Sequence, residues 1–157
     1  MYSVKKVNIL DISSINKVVY ILGCCGKDMY EKYGLNHWNN SWFKNFVIVC
    51  LCILKNNVYL VHDNEKNPIA TFQTKIKGNS LNLQKLATNP HYAGKGIGTF
   101  CMNEAEKYAI DNNCSRVCLE VYDKSQHAID FYIHRNYKIV GKTNTLKYTE
   151  LLMEKLI

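Results

Sequence analysis

Three glycines, Gly94, Gly96 and Gly98, fall within five residues of the segment NPHYAGKGIGTF, residues 89–100. A strand pattern leads into this segment and a helix pattern follows it, so the glycines lie at the start of a helix. The first amides of a helix lack intrahelical acceptors and carry partial positive charge, which suits them to bind an anion. Glycine also lets the main chain approach a ligand closely, because it has no Cβ atom. The segment predicts either a phosphate-binding loop or a structural turn.

Two common phosphate-binding loops do not match this segment. A P-loop requires G-x-x-x-x-G-K-[ST], but Asn89 stands at its first position and Gly96 follows Lys95. A Rossmann loop requires G-x-G-x-x-G inside a β-α-β unit. The spacing here is G-x-G-x-G, and the strands of a hairpin precede it. By spacing alone, another kind of phosphate loop and a structural turn both stay open.

Periodicity and end signals predict the elements around the loop. Asp11 is a good N-cap for a first helix that ends before Gly34. The apolar pattern of residues 42–54 fits both a buried strand and a helix. The remaining predicted elements are strands at residues 2–9, 57–63, 68–76, 79–88, 116–122, 137–143 and 150–157 and helices at residues 97–113 and 125–136.

The strand before the glycine loop, NSLNLQKLAT, has an irregular apolar pattern. Leu81 and Leu83 alternate as in an ordinary strand, but the next apolar residue is Leu86, one position late. One extra residue in the period predicts a β-bulge, which leaves main-chain groups free for a ligand.

The helix SQHAIDFYIHRN follows the glycine loop after one more strand. Ser125 is its predicted N-cap, and Asn136 is expected to take the left-handed conformation that ends it. The apolar spacing predicts four inward-facing residues: Ala128, Ile129, Tyr132 and Ile133.

Two segments together resemble the GNAT superfamily of acetyl-CoA-dependent N-acetyltransferases. The first, LATNPHYAGKGIGTFCMNEAEKYA, is similar to motif A of that family, whose signature is [Q/R]-x-x-G-x-[G/A]. Gly96 and Gly98 fill its last positions, but Ala93 stands where glutamine or arginine is usual. This difference removes one side chain from the neighbourhood of the diphosphate and leaves the main-chain cradle intact.

The second segment, CLEVYDKSQHAIDFYIHRNYKIVGK, is similar to motif B of the family, A-x-x-F-Y-x-x-x-G-F. Ala128, Phe131 and Tyr132 match it, whereas Asn136 and Tyr137 replace its final glycine and phenylalanine. The resemblance implies a single GNAT domain over residues 1–157, an α/β fold of order β-α-α-β-β-β-α-β-α-β-β. A mixed, mostly antiparallel central sheet would carry helices on both faces. The family layout also favours a helix for residues 42–54.

The resemblance implies acetyl-CoA as cosubstrate, bound in a V-shaped gap where the bulged strand parts from residues 116–122. The pantetheine arm would pair with main-chain groups of residues 86–88, and the diphosphate would lie on the amides of residues 94–99. The implied cofactor-binding residues are Leu86, Ala87, Thr88, Ala93, Gly94, Lys95, Gly96, Ile97, Gly98, Thr99, Ser125, Ala128, Phe131 and Tyr132.

The resemblance also implies a direct attack of an amine on the thioester, so none of the cysteines is expected to act as nucleophile. Tyr132 is the predicted general acid, which protonates the departing thiolate; a core tyrosine is the alternative reading. The bulged strand offers Asn82 and Gln84 but no carboxylate as general base. Glu120 on the next strand is a candidate base, or a solvated or ion-paired residue. A water relay or an amine that arrives neutral would remove the need for a base.

Charge and cysteine content limit the other classes of function. The net charge is +7 from 20 basic and 13 acidic residues, but the lysines are scattered, and only Arg116 and Arg135 are arginines. Nucleic-acid readers gather such residues on one face, so no nucleic-acid partner is expected. The seven cysteines lack zinc-finger spacing, so we expect them to be reduced thiols. We expect His127 and His134 to be surface residues rather than metal ligands.

The longest apolar run is nine residues, residues 46–54, whereas a membrane-spanning helix needs about 20. Because its start has no signal-peptide pattern, we expect a soluble cytoplasmic protein without a membrane partner.

We expect a monomer or homodimer that acetylates a primary amine on a small molecule. The alternative is a non-catalytic acyl-CoA sensor. Trp38 and Trp42 are expected either to line the acceptor pocket or to anchor the core.

Overall fold

A computed structural model describes all 157 residues, and its elements follow the predicted order. The helices are α1 (Ile12–Tyr33), α2 (Trp42–Lys55), α3 (Ile97–Asp111) and α4 (Gln126–His134), with a short 3-10 helix at Pro90–Tyr92. The strands are β1 (Ser3–Lys6), β2 (Asn57–His62), β3 (Pro68–Lys77), β4 (Ser80–Thr88), β5 (Arg116–Tyr122), β6 (Lys138–Asn144) and β7 (Thr149–Leu156). The helix predicted for residues 42–54 is confirmed.

The seven strands form a mixed sheet in the order β1-β2-β3-β4-β5-β7-β6. Antiparallel pairing joins β1 to β2, β2 to β3, β5 to β7 and β6 to β7, whereas β4 and β5 pair in parallel. The prediction of an α/β fold with a mostly antiparallel sheet is therefore confirmed.

The chain divides into two compact units, each built from two stretches of sequence. Unit 1 contains Met1–Thr74 and Lys85–Glu104, and unit 2 contains Lys75–Gln84 and Ala105–Ile157. The strands β3 and β4 and the helix α3 contribute residues to both. The single domain over residues 1–157 stays a prediction.

In unit 1, the helices α1 and α2 bury their apolar residues together with β2, and Ile15, Val49 and Leu60 are fully buried there. The predicted ends of α1 are confirmed. The Asp11 side chain accepts a hydrogen bond from the Ser14 amide, and Gly34 is left-handed, with its amide bonded to the Tyr30 carbonyl at 2.8 Å.

Three sequence predictions in unit 1 need correction. The first strand is Ser3–Lys6 and not residues 2–9, because the chain turns at Asn8, whose carbonyl accepts a hydrogen bond from the Asp11 amide. Trp42 and Phe43, which the helical stripe of α2 included, are 55% and 69% exposed. Phe43 precedes the buried Val49 by six residues and so points about 120° away from it.

In unit 2, the alternating residues Val117, Leu119 and Val121 of β5 are buried, as is Met153 of β7. The helix α3 ends at Asp111 and not at residue 113, because Asn113 has a left-handed φ of 56°.

The inward face predicted for α4 is partly wrong. Ile129 and Tyr132 are buried, but Ile133 is 48% exposed. The helix ends one residue later at His134, so no further turn brings Ile133 under cover. Asn136 has a φ of 67°, as predicted.

None of the helices combines the length and the apolar character that crossing a membrane requires.

Candidate active site

The glycine loop of unit 1 has the backbone that its sequence predicts. Gly94 and Gly96 have left-handed φ angles of 76° and 74°, which side chains rarely adopt. A Cβ atom at either position would meet no heavy atom of the protein within 4 Å. The glycines are therefore required by backbone conformation, and the space beside them is open to a ligand.

The residues before the loop fix where it begins. The Asn89 side chain accepts a hydrogen bond from the His91 amide at 3.2 Å, and the Asn89 amide binds the Ile69 carbonyl at 2.9 Å. Ala93 follows the 3-10 helix, and its amide binds the Pro90 carbonyl at 3.1 Å. These bonds orient the chain so that Gly94 opens the turn into α3.

The first turn of α3 presents amides that lack an intrahelical acceptor. Its hydrogen-bond ladder starts with the bond from the Phe100 amide to the Gly96 carbonyl, at 3.0 Å. The amides of Ile97, Gly98 and Thr99 precede that bond, so they carry the partial positive charge of the helix terminus. The Ile97 side chain is buried and anchors the turn. This arrangement can bind a phosphate group.

Tyr2 also supports the loop, a role that was not among those predicted from the sequence. The Tyr2 hydroxyl donates a hydrogen bond to the Lys95 carbonyl at 2.7 Å, and its ring meets that of Phe100 edge-on at 5.4 Å. The Lys95 ammonium lies 5.1 Å from the centroid of the Tyr92 ring. A lone tyrosine 93 residues before its partner leaves no local signal in the sequence.

The strand β4 has an unusual backbone angle near the position of the predicted β-bulge, and the bulge itself stays a prediction. Its register with β5 runs from the Ser80–Arg116 pair to the Leu83–Leu119 pair. Lys85 then has a left-handed φ of 50°, one residue before Leu86, where the sequence pattern predicted an extra residue.

The three residues that end β4, Leu86, Ala87 and Thr88, are half-buried in unit 1. The Cys25 thiol donates a hydrogen bond to the Thr88 carbonyl at 3.1 Å. Burial raises the pKa of the Cys25 thiol to about 12, so it stays a protonated donor at neutral pH.

Lys85 points toward two residues that precede β4 in the chain. Its ammonium donates to the Cys52 sulfur at 3.0 Å and lies 5.4 Å from the centroid of the Trp38 ring. Trp38 packs against the core of unit 1, and Asn45 donates a hydrogen bond to its carbonyl at 2.8 Å. Trp42, by contrast, is 55% exposed, and its ring lies 5.1 Å from the Phe46 ring at a tilt of 30°, so it does not anchor the core. That either tryptophan lines an acceptor pocket stays a prediction.

Tyr132 lies on α4 in unit 2 and is 9% exposed. Its ring contacts the neighbouring Phe131 ring at 5.2 Å and the Tyr137 ring at 5.9 Å. Its carbonyl accepts hydrogen bonds from the amides of Arg135 and Tyr137, each at 3.0 Å. The ring and the main chain of Tyr132 are thus both held by the turn that ends α4.

The other predicted residues of α4 lie on its first two turns. Ser125 occupies the N-cap position, but its side chain makes no capping hydrogen bond, which corrects the predicted role. Its carbonyl instead accepts from the amides of Ala128 and Ile129 at 3.0 Å. Ala128 and Phe131 are half-buried, and His127 and His134 are exposed, as predicted.

A buried ionic cluster joins α3 to the end of α4 and to β7. Glu106 accepts hydrogen bonds from Arg135 at 3.1 Å, from Lys155 at 2.8 Å and from the Tyr137 hydroxyl at 3.2 Å. Burial alone would raise the pKa of Glu106, but the bonds from Lys155 and Arg135 lower it below its ordinary value. Glu106 therefore stays ionised at neutral pH, in a cluster that was not among the features predicted from the sequence.

The negative charge of Glu120 acts on a second carboxylate, Glu150, on the neighbouring strand of unit 2. Glu120 lies on β5, where it is exposed, and Glu150 lies on β7 opposite Tyr122. Burial and the negative charge of Glu120 raise the pKa of Glu150. Glu150 is thus a second carboxylate that could accept a proton, beside the predicted Glu120. The strand β4, by contrast, offers no carboxylate.

The chain matches the Acetyltransferase (GNAT) family over residues 21–137. The chain belongs to this family, whose members use acetyl-CoA as cosubstrate. The prediction of a GNAT-type acyltransferase is confirmed at the level of the family.

A curated relative is thialysine N-epsilon-acetyltransferase of Bos taurus, 34% identical over 56 residues. The match covers 36% of this chain and 33% of the relative, so it spans only about a third of the length of that protein.

Solved structures show the same fold over the whole chain. The PaiA N-acetyltransferase of Thermoplasma acidophilum, in complex with coenzyme A, has a TM-score of 0.83 at 17% identity, over 100% of this chain and 99% of that one. A spermidine N-acetyltransferase chimera from Vibrio cholerae has a TM-score of 0.72 at 16% identity, over 99% of this chain and 95% of that one.

Proposed function

We propose that this chain transfers the acetyl group of acetyl-CoA to the primary amine of a small molecule. The observation that carries the proposal is the backbone of the glycine loop. Gly94 and Gly96 adopt left-handed φ angles with open space beside them, and the unpaired amides of α3 follow directly. In a chain of the GNAT family, this is the segment that resembles motif A.

In this proposal, the amides from Gly94 to Thr99 hold the diphosphate. No arginine or glutamine stands at Ala93, so the main chain and Lys95 carry most of this interaction. Main-chain groups of Leu86–Thr88 pair with the pantetheine arm, in the manner of an added strand. The hydrogen bond from Cys25 already occupies the Thr88 carbonyl and stiffens this end of β4.

Tyr132 supplies the proton for the leaving group. As the amine nitrogen bonds to the acetyl carbon, the carbon–sulfur bond breaks and the electron pair goes to sulfur. The Tyr132 hydroxyl donates to that thiolate, while the nitrogen loses its own proton to a base. Because a phenol is a weak acid, we expect a contribution on the order of 10²-fold.

The proton that the amine loses goes to a carboxylate of unit 2 or to water. Glu150 is a candidate for this base, because burial and the charge of Glu120 raise its pKa and so strengthen it as a proton acceptor. A water relay stays the alternative.

The acceptor is proposed from the chemistry of the relatives. The names of two similar proteins contain thialysine and spermidine. Both compounds present a primary amine at the end of a flexible chain. We infer that the acceptor has this form.

The test is the release of coenzyme A from acetyl-CoA, followed with a thiol reagent, in the presence of thialysine, lysine or spermidine. Turnover that depends on one of these amines supports the proposal. Tight binding of acetyl-CoA without turnover on any of the three would contradict it and favour the sensor.

A further inference from the structure

Tyr137 differs from the phenylalanine of motif B by one hydroxyl group, and that hydroxyl is buried. The residue is 2% exposed. Its hydroxyl donates a hydrogen bond to a carboxylate oxygen of Glu106 at 3.2 Å, so the buried polar group has a partner. A phenylalanine at this position would fill nearly the same volume but would have no bond to α3.

Glu106 is itself held from two other directions. Arg135 binds the same carboxylate oxygen as Tyr137, and Lys155 of β7 binds the other oxygen at 2.8 Å. Glu106 is 14% exposed at its side chain, and its two cationic partners are also mostly buried. A carboxylate fixed at both oxygens is a rigid acceptor, so the Tyr137 ring is fixed with it.

Tyr137 contacts Tyr132 in two ways, through its fixed ring and through its main-chain amide. The two ring centroids lie 5.9 Å apart with the planes at 61°, an edge-to-face arrangement. The Tyr137 amide also donates to the Tyr132 carbonyl at 3.0 Å. The left-handed φ of 67° at Asn136 allows the chain to turn back for both contacts.

We propose that Tyr137 is a positioning residue, whose hydroxyl bond to Glu106 fixes the ring that orients the Tyr132 phenol for proton donation. This inference rests on the role of Tyr132 under the proposed function. It assigns a task to a hydroxyl that motif B of the family lacks. Burial, together with the Glu106 charge, raises the pKa of Tyr137, so its hydroxyl stays a donor throughout the neutral range.

A double-mutant cycle between Tyr132 and Tyr137 tests the inference. The four proteins are the unchanged chain, Tyr137→Phe, Tyr132→Phe and the double variant. Their kcat and KM for acetyl-CoA are measured with whichever of thialysine, lysine or spermidine supports turnover. Each protein is first checked for a cooperative thermal transition and for binding of coenzyme A. We expect Tyr137→Phe to lower the Tm by only about 5 °C, since the ring itself remains.

With Tyr132 present, Tyr137→Phe should lower kcat about fivefold, the effect of one lost hydrogen bond, with KM for acetyl-CoA unchanged. In the Tyr132→Phe background, the same change should lower kcat less than about twofold, because no hydroxyl remains to be oriented. An equal loss in both backgrounds, or no loss in either, overturns the inference. If Tyr132→Phe alone leaves kcat unchanged, the role of Tyr132 fails first, and the positioning role fails with it.

Two further variants separate positioning from general structure. Replacing Tyr137 by 4-aminophenylalanine keeps a hydrogen-bond donor for Glu106 and should restore kcat to within about twofold of the unchanged chain. Tyr30→Phe removes the same hydroxyl from a half-exposed tyrosine of α1 and should leave kcat unchanged. Failure of the amino analogue to restore kcat contradicts the inference, even if Tyr137→Phe does not fold.

Discussion

The main chain of Trp38 lies directly against Gly26 of α1. A Cβ atom built on Gly26 would fall 2.7 Å from the Trp38 carbonyl carbon, closer than any real Cβ contact. The contact is with backbone, which cannot rotate out of the way as a side chain could. Trp38 also has a left-handed φ of 60°, so the segment that carries it has a strained conformation that depends on this close approach.

Gly26→Ala should therefore destabilise the protein, by about 1–3 kcal/mol, because the added methyl group forces the two backbones apart. Gly23→Ala on the same helix is the matched control, since a Cβ atom there meets nothing within 4 Å. The control should be neutral or stabilising by up to about 1 kcal/mol. Urea denaturation measures both, and equal stabilities for the two variants would contradict the close approach.

The second prediction concerns Asn136, which takes the left-handed conformation that the end of α4 requires. Asn136→Ala should cost about 1 kcal/mol, because alanine tolerates this conformation less well than asparagine. Asn136→Gly, the residue usual in motif B, should be at least as stable as the unchanged chain. Thermal unfolding distinguishes the two variants, and a more stable alanine variant would show that this φ is not needed.

The third prediction concerns Tyr2, whose hydroxyl binds the Lys95 carbonyl. Tyr2→Phe keeps the ring contact with Phe100 but releases the loop, so the Kd for coenzyme A should rise about fivefold. Calorimetry measures this Kd, with Tyr30→Phe as the control that removes an unrelated hydroxyl. An unchanged Kd would mean that the loop keeps its shape without the bond.

The fourth prediction concerns the pH dependence that Glu150 introduces. Its pKa in the folded protein lies above the ordinary 4.5, so folding favours its neutral form. The unfolded chain then releases this proton first, and stability falls as the pH rises from about 4.5 through the raised value. Glu150→Gln should therefore raise the Tm at pH 7 by about 2 °C and leave it unchanged at pH 3.

Glu120→Gln provides the matching experiment, because Glu120 is one of the two causes of the shift. Removing its charge should lower the pKa of Glu150 toward 4.5, which a titration followed by NMR can measure. A pKa that does not move would mean that burial alone raises it.

Features set by neighbours in the chain could be predicted from the sequence. The cap at Asp11 and the left-handed conformations of Gly34 and Asn136 each depend on a few adjacent residues. The glycine loop could also be predicted, because left-handed backbone and helix-terminal amides follow from residue type.

Contacts between distant residues could not be predicted in the same way. The bond from Tyr2 to Lys95 and that from Tyr137 to Glu106 join residues 93 and 31 positions apart. Whether a residue near the end of a helix is covered also depends on residues distant in the chain. For this reason Ile133 and Phe43 are more exposed than their spacing predicted. The identity of the acceptor belongs to this class too, since it depends on side chains that only the fold brings together.

Calorimetric titration with coenzyme A can show whether the amides around Gly96 hold the diphosphate of acetyl-CoA. Gly78, in the turn between β3 and β4, supplies the matched control. Like Gly96, it is left-handed, with a φ of 58°, and has nothing within 4 Å of a built Cβ atom. Gly78→Val therefore introduces the same backbone strain outside residues 94–99.

We expect the unchanged chain and Gly78→Val to bind coenzyme A with the same Kd, whereas Gly96→Val should give no measurable heat of binding. Binding by Gly96→Val with the affinity of the unchanged chain, or no binding by the unchanged chain, would contradict this expectation.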